Sequence, residues 1–263
     1  MNILDKIIAH KKIEIDKAKE KLSFDELMRT DLFSRPVFSL KQFLLDDSKT
    51  GIIAEFKRQS PSKGIINGTA DVAEVTAAYT LYGASCLSVL TDGHFFGGAA
   101  DDLRKARINN IPILRKDFII DEYQVAESRA MGADVILLIA ACLTPGRVKE
   151  LAVFANKLQL ETLLEIHSEE ELQHICAETE IVGINNRDLK TFIVDINRSL
   201  ELSKKIPMDK IKISESGIND VETICIFRKA GFKGFLIGEN FMKQPDPTIA
   251  FAGFVEQLKA KAQ

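Results

Sequence analysis

A glutamate and a lysine stand two residues apart at the end of an apolar run early in the chain. Glu55 and Lys57 follow the run at residues 52–54, and side chains two residues apart on a strand point to the same side. A carboxylate and an ammonium at the end of a buried strand are costly unless they pair or do chemistry. The pair alone leaves two interpretations open: an ion pair that closes a sheet edge, or part of an active site.

Four other apolar runs also end in charged or polar residues. They are Lys116, Glu165, Asn185, Arg187, Glu215 and Ser216. One such residue is most simply a solvated charge or a structural ion pair. Because five predicted strands end in ionisable or amide groups, we predict instead a shared polar pocket of three cations and three carboxylates.

Two glycine turns follow the last two predicted strands, at Ser216-Gly217 and at Gly238-Glu239. In an α/β barrel, backbone N–H groups at these two places often bind phosphate. Glycine lets the backbone approach the anion closely. Each glycine alone has the ordinary explanation of a tight turn, but their position in a barrel favours a phosphate site.

Three phenylalanines, Phe95, Phe96 and Phe118, come just after the second and third predicted strands. Core packing is the ordinary explanation for such residues. Here they would face the same mouth as the polar pocket, so we expect an apolar wall for an aromatic ligand.

The elements that must position these residues alternate between strand and helix. Strands are predicted at residues 52–56, 85–90, 111–116, 134–140, 160–166, 181–185, 210–215 and 234–238. Helix signals lie between them, including Asp71 to Gly83, Thr144-Pro145, a capping box at Ser168, and Asn219 to Gly231. Eight such units in about 210 residues predict a (β/α)₈ TIM barrel. A doubly wound open sheet is the competitor, but the chain has no GxGxxG or GxxxxGK[ST] loop.

The first part of the chain carries helix signals and no strand. Residues 3–22 have an amphipathic pattern, imperfect in its middle, and Ser23 is an N-cap for a second short helix. We expect a single TIM-barrel domain over residues 1–263, with an N-terminal helical extension at 1–48 and the barrel at 49–263.

Composition excludes several classes of function. The net charge of −3 and the pI of about 5.9 make nucleic acid and membrane poor partners. The four cysteines are scattered without a metal-binding motif, which predicts reduced thiols and no metal site. The N-terminus lacks a signal peptide. We expect a cytoplasmic monomer.

With these residues in hand, the sequence resembles the indole-3-glycerol phosphate synthase family over essentially its whole length. The segments that carry the resemblance are 54–64, 114–118, 164–166, 183–189, 214–218 and 236–239. The resemblance implies a small sugar-phosphate substrate, 1-(2-carboxyphenylamino)-1-deoxyribulose 5-phosphate. It implies closure of that substrate to indole-3-glycerol phosphate with loss of CO₂ and water, without a cofactor or metal. Glu239 stands where some family members carry Ser.

The resemblance also implies catalytic roles. Lys116 is the general acid for the ketone oxygen, and Glu165 is a proton-transfer partner in dehydration. Lys57 contacts an anionic group and is a second candidate proton donor. Glu55 and Glu215 orient the reacting groups, and Asn185 and Ser216 hydrogen-bond the sugar or ring.

Substrate binding is implied for a second set of residues. Arg187 holds an anion by its planar fork, and Phe96 and Phe118 pack the anthranilate ring. The remaining members of this set are Ser60, Leu189, Gly217 and Gly238. The N-terminal helix covers the mouth and excludes water.

Two other functions remain open from the residues. One is another sugar-phosphate barrel enzyme, such as phosphoribosylanthranilate isomerase, although an isomerase would not require two strand-end lysines with three carboxylates. The other is a non-catalytic barrel that binds a phosphate ligand, which the presence of Lys57 and Lys116 disfavours.

Overall fold

The computed structural model describes residues 3–188 and 193–261. Within them, eight parallel strands close into a barrel, in the order β1-β10-β9-β8-β7-β6-β5-β4. The barrel strands are β1 (Ile52–Phe56), β4 (Cys86–Leu90), β5 (Ile113–Lys116), β6 (Val135–Ile139), β7 (Glu161–Ile166), β8 (Ile181–Asn185), β9 (Ile211–Glu215) and β10 (Phe232–Ile237). The predicted (β/α)₈ barrel is confirmed.

Helices precede the barrel and connect its strands. They are α1 (Ile3–Lys21), α2 (Phe24–Met28), α3 (Leu40–Leu45), α4 (Val72–Tyr82), α5 (Gly93–Phe96), α6 (Ala100–Ala106), α7 (Glu122–Met131), α8 (Pro145–Lys157), α9 (Ile196–Ser203), α10 (Val221–Lys229), α11 (Glu239–Met242) and α12 (Pro247–Lys261). Short 3₁₀ helices lie at Asp31–Phe33, Ala140–Cys142 and Glu170–His174. In the described part of the chain, none of the helices combines the length and the apolar character that crossing a bilayer requires.

Most of the predicted helix starts are confirmed. The Asp71 side chain accepts from the backbone N–H of Glu74, and α4 ends at Gly83 with φ of 107°. Thr144 caps α8, whose first residue is Pro145, and Ser23 forms a full capping box with Glu26.

One predicted helix start is wrong. The residues after Ser168 form only the 3₁₀ helix Glu170–His174 without a side-chain cap. The Glu171 carboxylate accepts instead from the backbone N–H of His167 at 2.6 Å, so it does not reach back to Ser168 as a capping box requires. The helix predicted to start in the stretch from Asn219 is confirmed, and it is capped by Asp220, whose carboxylate accepts from the N–H of Thr223.

Strand boundaries differ from the prediction by up to two residues. β5 begins at Ile113 instead of residue 111, after Pro112, which has no N–H to donate to a ladder. β10 begins at Phe232, two residues early, and the register with β9 shifts between Phe232 and Gly234.

The loop after β1 contains a small hairpin, β2 (Gln59–Ser60) paired antiparallel with β3 (Gly64–Ile65). Gly64 has φ of 67°, a left-handed conformation that glycine adopts without strain. The residues between Ser60 and Gly64 are therefore the turn of this hairpin.

Apolar side chains from α3 fill one end of the barrel interior. Leu40 and Leu44 pack with the inward-facing residues of the strands, among them Ile53, Leu163 and Ile213. The interior is therefore a packed core, and the functional site can lie only at the other end, where the strands terminate.

Candidate active site

A cleft of about 500 Å³ lies at the carboxyl ends of the barrel strands. Its size is that of a typical small-molecule site. Apart from Phe95, every described residue predicted for the site lines it: Glu55, Lys57, Ser60, Phe96, Lys116, Phe118, Glu165, Asn185, Arg187, Glu215, Ser216, Gly217 and Gly238. Leu189 falls outside the described residues.

Lys116, the last residue of β5, lies between two carboxylates at the centre of the cleft. Its Nζ is 2.7 Å from Glu165 Oε2 and 3.1 Å from Glu215 Oε2. Burial lowers the pKa of Lys116, but the carboxylates of Glu165, Glu215 and Glu55 raise it more, and the net shift is upward. The side chain is therefore an ammonium at neutral pH.

The two carboxylates beside Lys116 differ in acidity. Burial raises the pKa of Glu215 to about 7, with Lys116 opposing the rise and the negative charge of Glu165 adding to it. Burial also favours the neutral form of Glu165, but Lys116 and His167 outweigh it and hold its pKa well below the usual range. Glu165 is thus ionised while Glu215 can carry a proton near neutral pH, a division that suits acid and base roles.

Glu55 and Lys57 form the ion pair that their spacing predicts, with Lys57 Nζ 2.5 Å from Glu55 Oε1. The Glu55 carboxylate packs against the backbone of Gly238 on the neighbouring strand. A Cβ at Gly238 would lie 2.6 Å from Glu55 Oε1. The structure thus requires glycine at position 238 because of Glu55, whatever the role of this turn in binding phosphate.

Asn185 and Arg187 extend the network towards the last two strands. Asn185 Nδ2 donates to Glu165 Oε1 at 3.2 Å, and Asn185 Oδ1 accepts from the Arg187 backbone N–H at 3.0 Å. The Arg187 guanidinium lies 3.3 Å from Glu239 Oε2. Glu239, the departure from the family pattern, therefore partners the cation expected to hold an anion.

One face of the cleft is apolar. The rings of Phe96 and Phe118 lie 6.1 Å apart, and Ile3, Leu4 and Ile7 of α1 line the same cleft. The prediction for Phe95 is wrong, because it does not line this cleft and its ring instead meets the edge of His10 on α1 at 5.9 Å.

The glycine turn after β9 has an unusual backbone. Ser216 and Gly217 both have positive φ, 66° and 74°, and a non-glycine residue in this region is uncommon. Asn186 Nδ2 donates to the carbonyl of Ser216 at 2.9 Å and holds the turn in place.

Two groups near the cleft were missed by the sequence analysis. Lys11 of α1 contacts Asp92 and Asp117, and His167 contacts Glu165. Both carried a signal: Lys11 falls four residues from Ile7 and from Ile15 on the buried stripe of α1, and His167 follows Glu165 by two residues, as Lys57 follows Glu55.

A metal centre has no support in the described residues, since among 3–188 and 193–261 no three His, Cys, Asp or Glu side chains are grouped to hold an ion. The chemistry that the cleft offers is therefore that of buried lysines and carboxylates next to an aromatic wall.

Comparisons with known proteins agree on one family. A family model described as "Indole-3-glycerol phosphate synthase" matches residues 4–253. A curated protein of that name from Bacteroides thetaiotaomicron is 47% identical over 259 residues, covering 98% of this chain and 99% of its own. Another of that name from Bordetella pertussis is 42% identical, covering 97% and 99%.

Solved structures of other enzymes share the fold. Tryptophan synthase subunit alpha from Legionella pneumophila superposes with a TM-score of 0.62 at 13% identity, covering 84% of this chain and 97% of that one. A 3-hexulose-6-phosphate synthase gives a TM-score of 0.62 at 15% identity, covering 80% and 98%. At such low identity these likenesses concern the barrel alone.

Proposed function

The chain belongs to the indole-3-glycerol phosphate synthase family, and we propose how its cleft carries out the reaction of that family. The enzyme is a carboxy-lyase of tryptophan biosynthesis that closes 1-(2-carboxyphenylamino)-1-deoxyribulose 5-phosphate to indole-3-glycerol phosphate. The observation that carries the mechanism is the Lys116 ammonium between Glu165 and Glu215, in the same cleft as the Phe96 and Phe118 rings.

The cleft has complementary places for the three parts of this substrate. The anthranilate ring fits against Phe96 and Phe118. The phosphate fits the two turns at Gly217 and Gly238, with Ser60 from the hairpin beside them. Arg187 and Lys57 supply positive charge for the carboxylate and phosphate. Leu189 remains a predicted contact outside the described residues.

Ring closure needs a proton donor at the ketone. The aromatic carbon that bears the carboxylate attacks the ketone carbon, and negative charge develops on the ketone oxygen. Lys116 donates a proton to that oxygen; an alkoxide is a stronger base than an amine, so the transfer is favourable despite the raised pKa of Lys116. The bond between this aromatic carbon and its carboxylate then breaks, CO₂ leaves, and the electron pair of that bond restores the aromaticity of the ring.

Dehydration needs a base and a second acid. Glu165 is ionised and within reach of the same centre, so it accepts the proton that must leave as the indole double bond forms. Lys57, held by Glu55 at 2.5 Å, is placed to protonate the departing hydroxyl.

The other polar residues orient these groups. Glu55 aims Lys57, and Glu215, whose pKa burial raises to about 7, aims Lys116. Asn185 fixes one oxygen of Glu165, and Ser216 presents its hydroxyl at the turn after β9.

We propose further that the chain acts as a monomer in the cytoplasm. All four cysteines, which the described residues include, are free thiols, as a reducing compartment favours.

The experiment is a direct assay with the carboxyphenylamino sugar phosphate. Indole fluorescence should rise with one CO₂ released per indole formed, and added chelator should leave the rate unchanged. Turnover without CO₂ release would contradict the proposal, and so would an obligatory metal.

A further inference from the structure

His167 lies beside Glu165, directly after the end of β7. Its Nε2 is 3.1 Å from Glu165 Oε1, and its Nδ1 is 3.3 Å from Glu171 Oε2. The side chain is 8% exposed, and it does not line the cleft. The Nε2 contact does not have the direction of a hydrogen bond, so it is an ion-pair contact.

Both ring nitrogens of His167 face carboxylate oxygens. A neutral imidazole has one unprotonated nitrogen, and here either nitrogen would place its lone pair close to an anionic oxygen. The doubly protonated ring avoids this, and the geometry therefore favours the imidazolium.

Glu171 fixes the ring at its other end. Its Oε2 also accepts from the His167 backbone N–H at 2.6 Å, so main chain and ring are tied to one carboxylate. This contact replaces the capping box that the sequence predicts there, and it turns a surface glutamate, 17% exposed, into the partner of a buried ring.

The Glu165 carboxylate is thereby held from several sides. Oε2 contacts Lys116 Nζ, and Oε1 contacts both Asn185 Nδ2 and His167 Nε2. A rotation of the carboxylate would break these contacts together, so its orientation towards the cleft is fixed before substrate binds.

We propose that His167 is a positioning residue, which as an imidazolium holds Glu165 ionised and correctly oriented for proton transfer. This rests on the proposed role of Glu165 as the base. Two other titratable groups lie near the carboxylates that contact the ring. Cys142, on the 3₁₀ helix after β6, lies near Glu165 and Glu171, and Lys116 contacts Glu165. Burial lowers the pKa of His167, but Glu165 and Glu171 raise it more, to about 9.

The test compares His167→Gln with wild type and with Glu169→Gln, a control at an exposed glutamate that pairs with Lys205. Because His167 does not touch the cleft, His167→Gln should lower kcat about ten- to a hundredfold with KM nearly unchanged. The wild-type kcat should also decline as pH rises through about 9, and this decline should be absent in the variant. Wild-type kcat with an unaltered pH profile in His167→Gln, or a change confined to KM, would overturn the proposal.

Two further measurements keep the outcome decisive. Glu171→Gln leaves the ring in place but removes one of its two carboxylates, so the decline in kcat should move to lower pH; an unmoved decline counts against the proposal even if His167→Gln fails to fold. Nitrogen NMR of the wild-type ring at pH 7 should show both nitrogens protonated, and a neutral ring would overturn the proposal. Retained activity in Glu165→Gln would instead refute the proposed role of Glu165.

Discussion

Glu215 owes its place beside Lys116 to a glycine on the neighbouring strand. A Cβ at Gly183 of β8 would lie 2.2 Å from Glu215 Oε1, closer than atoms can approach. The second carboxylate of Lys116 therefore fits only because residue 183 has no side chain.

We expect Gly183→Ala to displace the Glu215 carboxylate and lower kcat by about tenfold or more, because small misplacements of catalytic groups are costly. Steady-state kinetics checks this. Gly146→Ala is the matched control, since an added methyl there meets no atom within 4 Å. Equal activities of the two variants would show that Glu215 does not need its present position.

For single residues, the sequence predicts which residue types form the site better than it predicts why the structure needs each type. The spacing of Glu55 and Lys57 predicts that their side chains share a face of β1, which is where the structure pairs them. The need for glycine at 238 is not visible in the same way, because it comes from Glu55 on a strand distant in sequence. The ion pair of Arg187 with Glu239 cannot be predicted from local sequence either, because it joins the end of β8 to the turn after β10.

α1 is fastened to the barrel mouth by a buried ion cluster. Lys11 Nζ lies 2.9 Å from Asp92 Oδ2 and 3.0 Å from Asp117 Oδ1. Asp92 caps α5, which ends at Phe96, and Asp117 directly precedes Phe118. One ammonium therefore connects the N-terminal helix to both loops that carry the aromatic wall.

We expect Lys11→Met to loosen α1, because it leaves two buried carboxylates without their shared cation, a change that typically costs about 3–5 kcal/mol. KM should rise, since Ile3, Leu4 and Ile7 would no longer line the cleft, and proteolysis should cut near α1 sooner. Lys12→Met, at an exposed neighbouring position, is the control. Unchanged KM and proteolysis in Lys11→Met would contradict this fastening.

Element boundaries were predicted well where local chemistry sets them. Asp71, Thr144 and Ser23 act as caps as their types predict. The prediction after Ser168 fails because the Glu171 carboxylate contacts the backbone N–H and the ring of His167, four residues before it, instead of Ser168.

The N-terminal extension contributes to both ends of the barrel. α1 lies at the mouth, while Leu40 and Leu44 of α3 enter the interior at the opposite end. Between them, Arg35 Nη2 lies 2.8 Å from Asp134 Oδ1, a fully buried carboxylate that Arg107 also contacts. We propose that residues 1–48 and 49–263 fold as one domain. The eight strand–helix units predict the barrel. They do not predict the packing of Leu40 and Leu44 inside it or the contact of Arg35 with Asp134, because each of these joins residues far apart in sequence.

The buried His167 should make stability depend on pH. Its pKa is raised from 6.5 to about 9 in the folded protein, so its contribution is fully present below about pH 6.5 and is lost as pH rises through about 9. The free energy of unfolding of wild type, measured by urea denaturation, should therefore fall relative to His167→Gln across this window. If the difference in the free energy of unfolding between the two proteins stays constant from pH 6 to pH 10, folding does not raise the pKa of the His167 ring.

The central claim is that Lys116 supplies the proton for ring closure while other residues hold the substrate. We predict that Lys116→Met lowers kcat on the order of a thousandfold, as expected for loss of a positioned acid and cation. The Kd, measured by titration of the substrate's anthranilate fluorescence, should change little. Single-turnover kinetics of indole formation with this variant is the most direct test. Near-wild-type turnover would contradict the account.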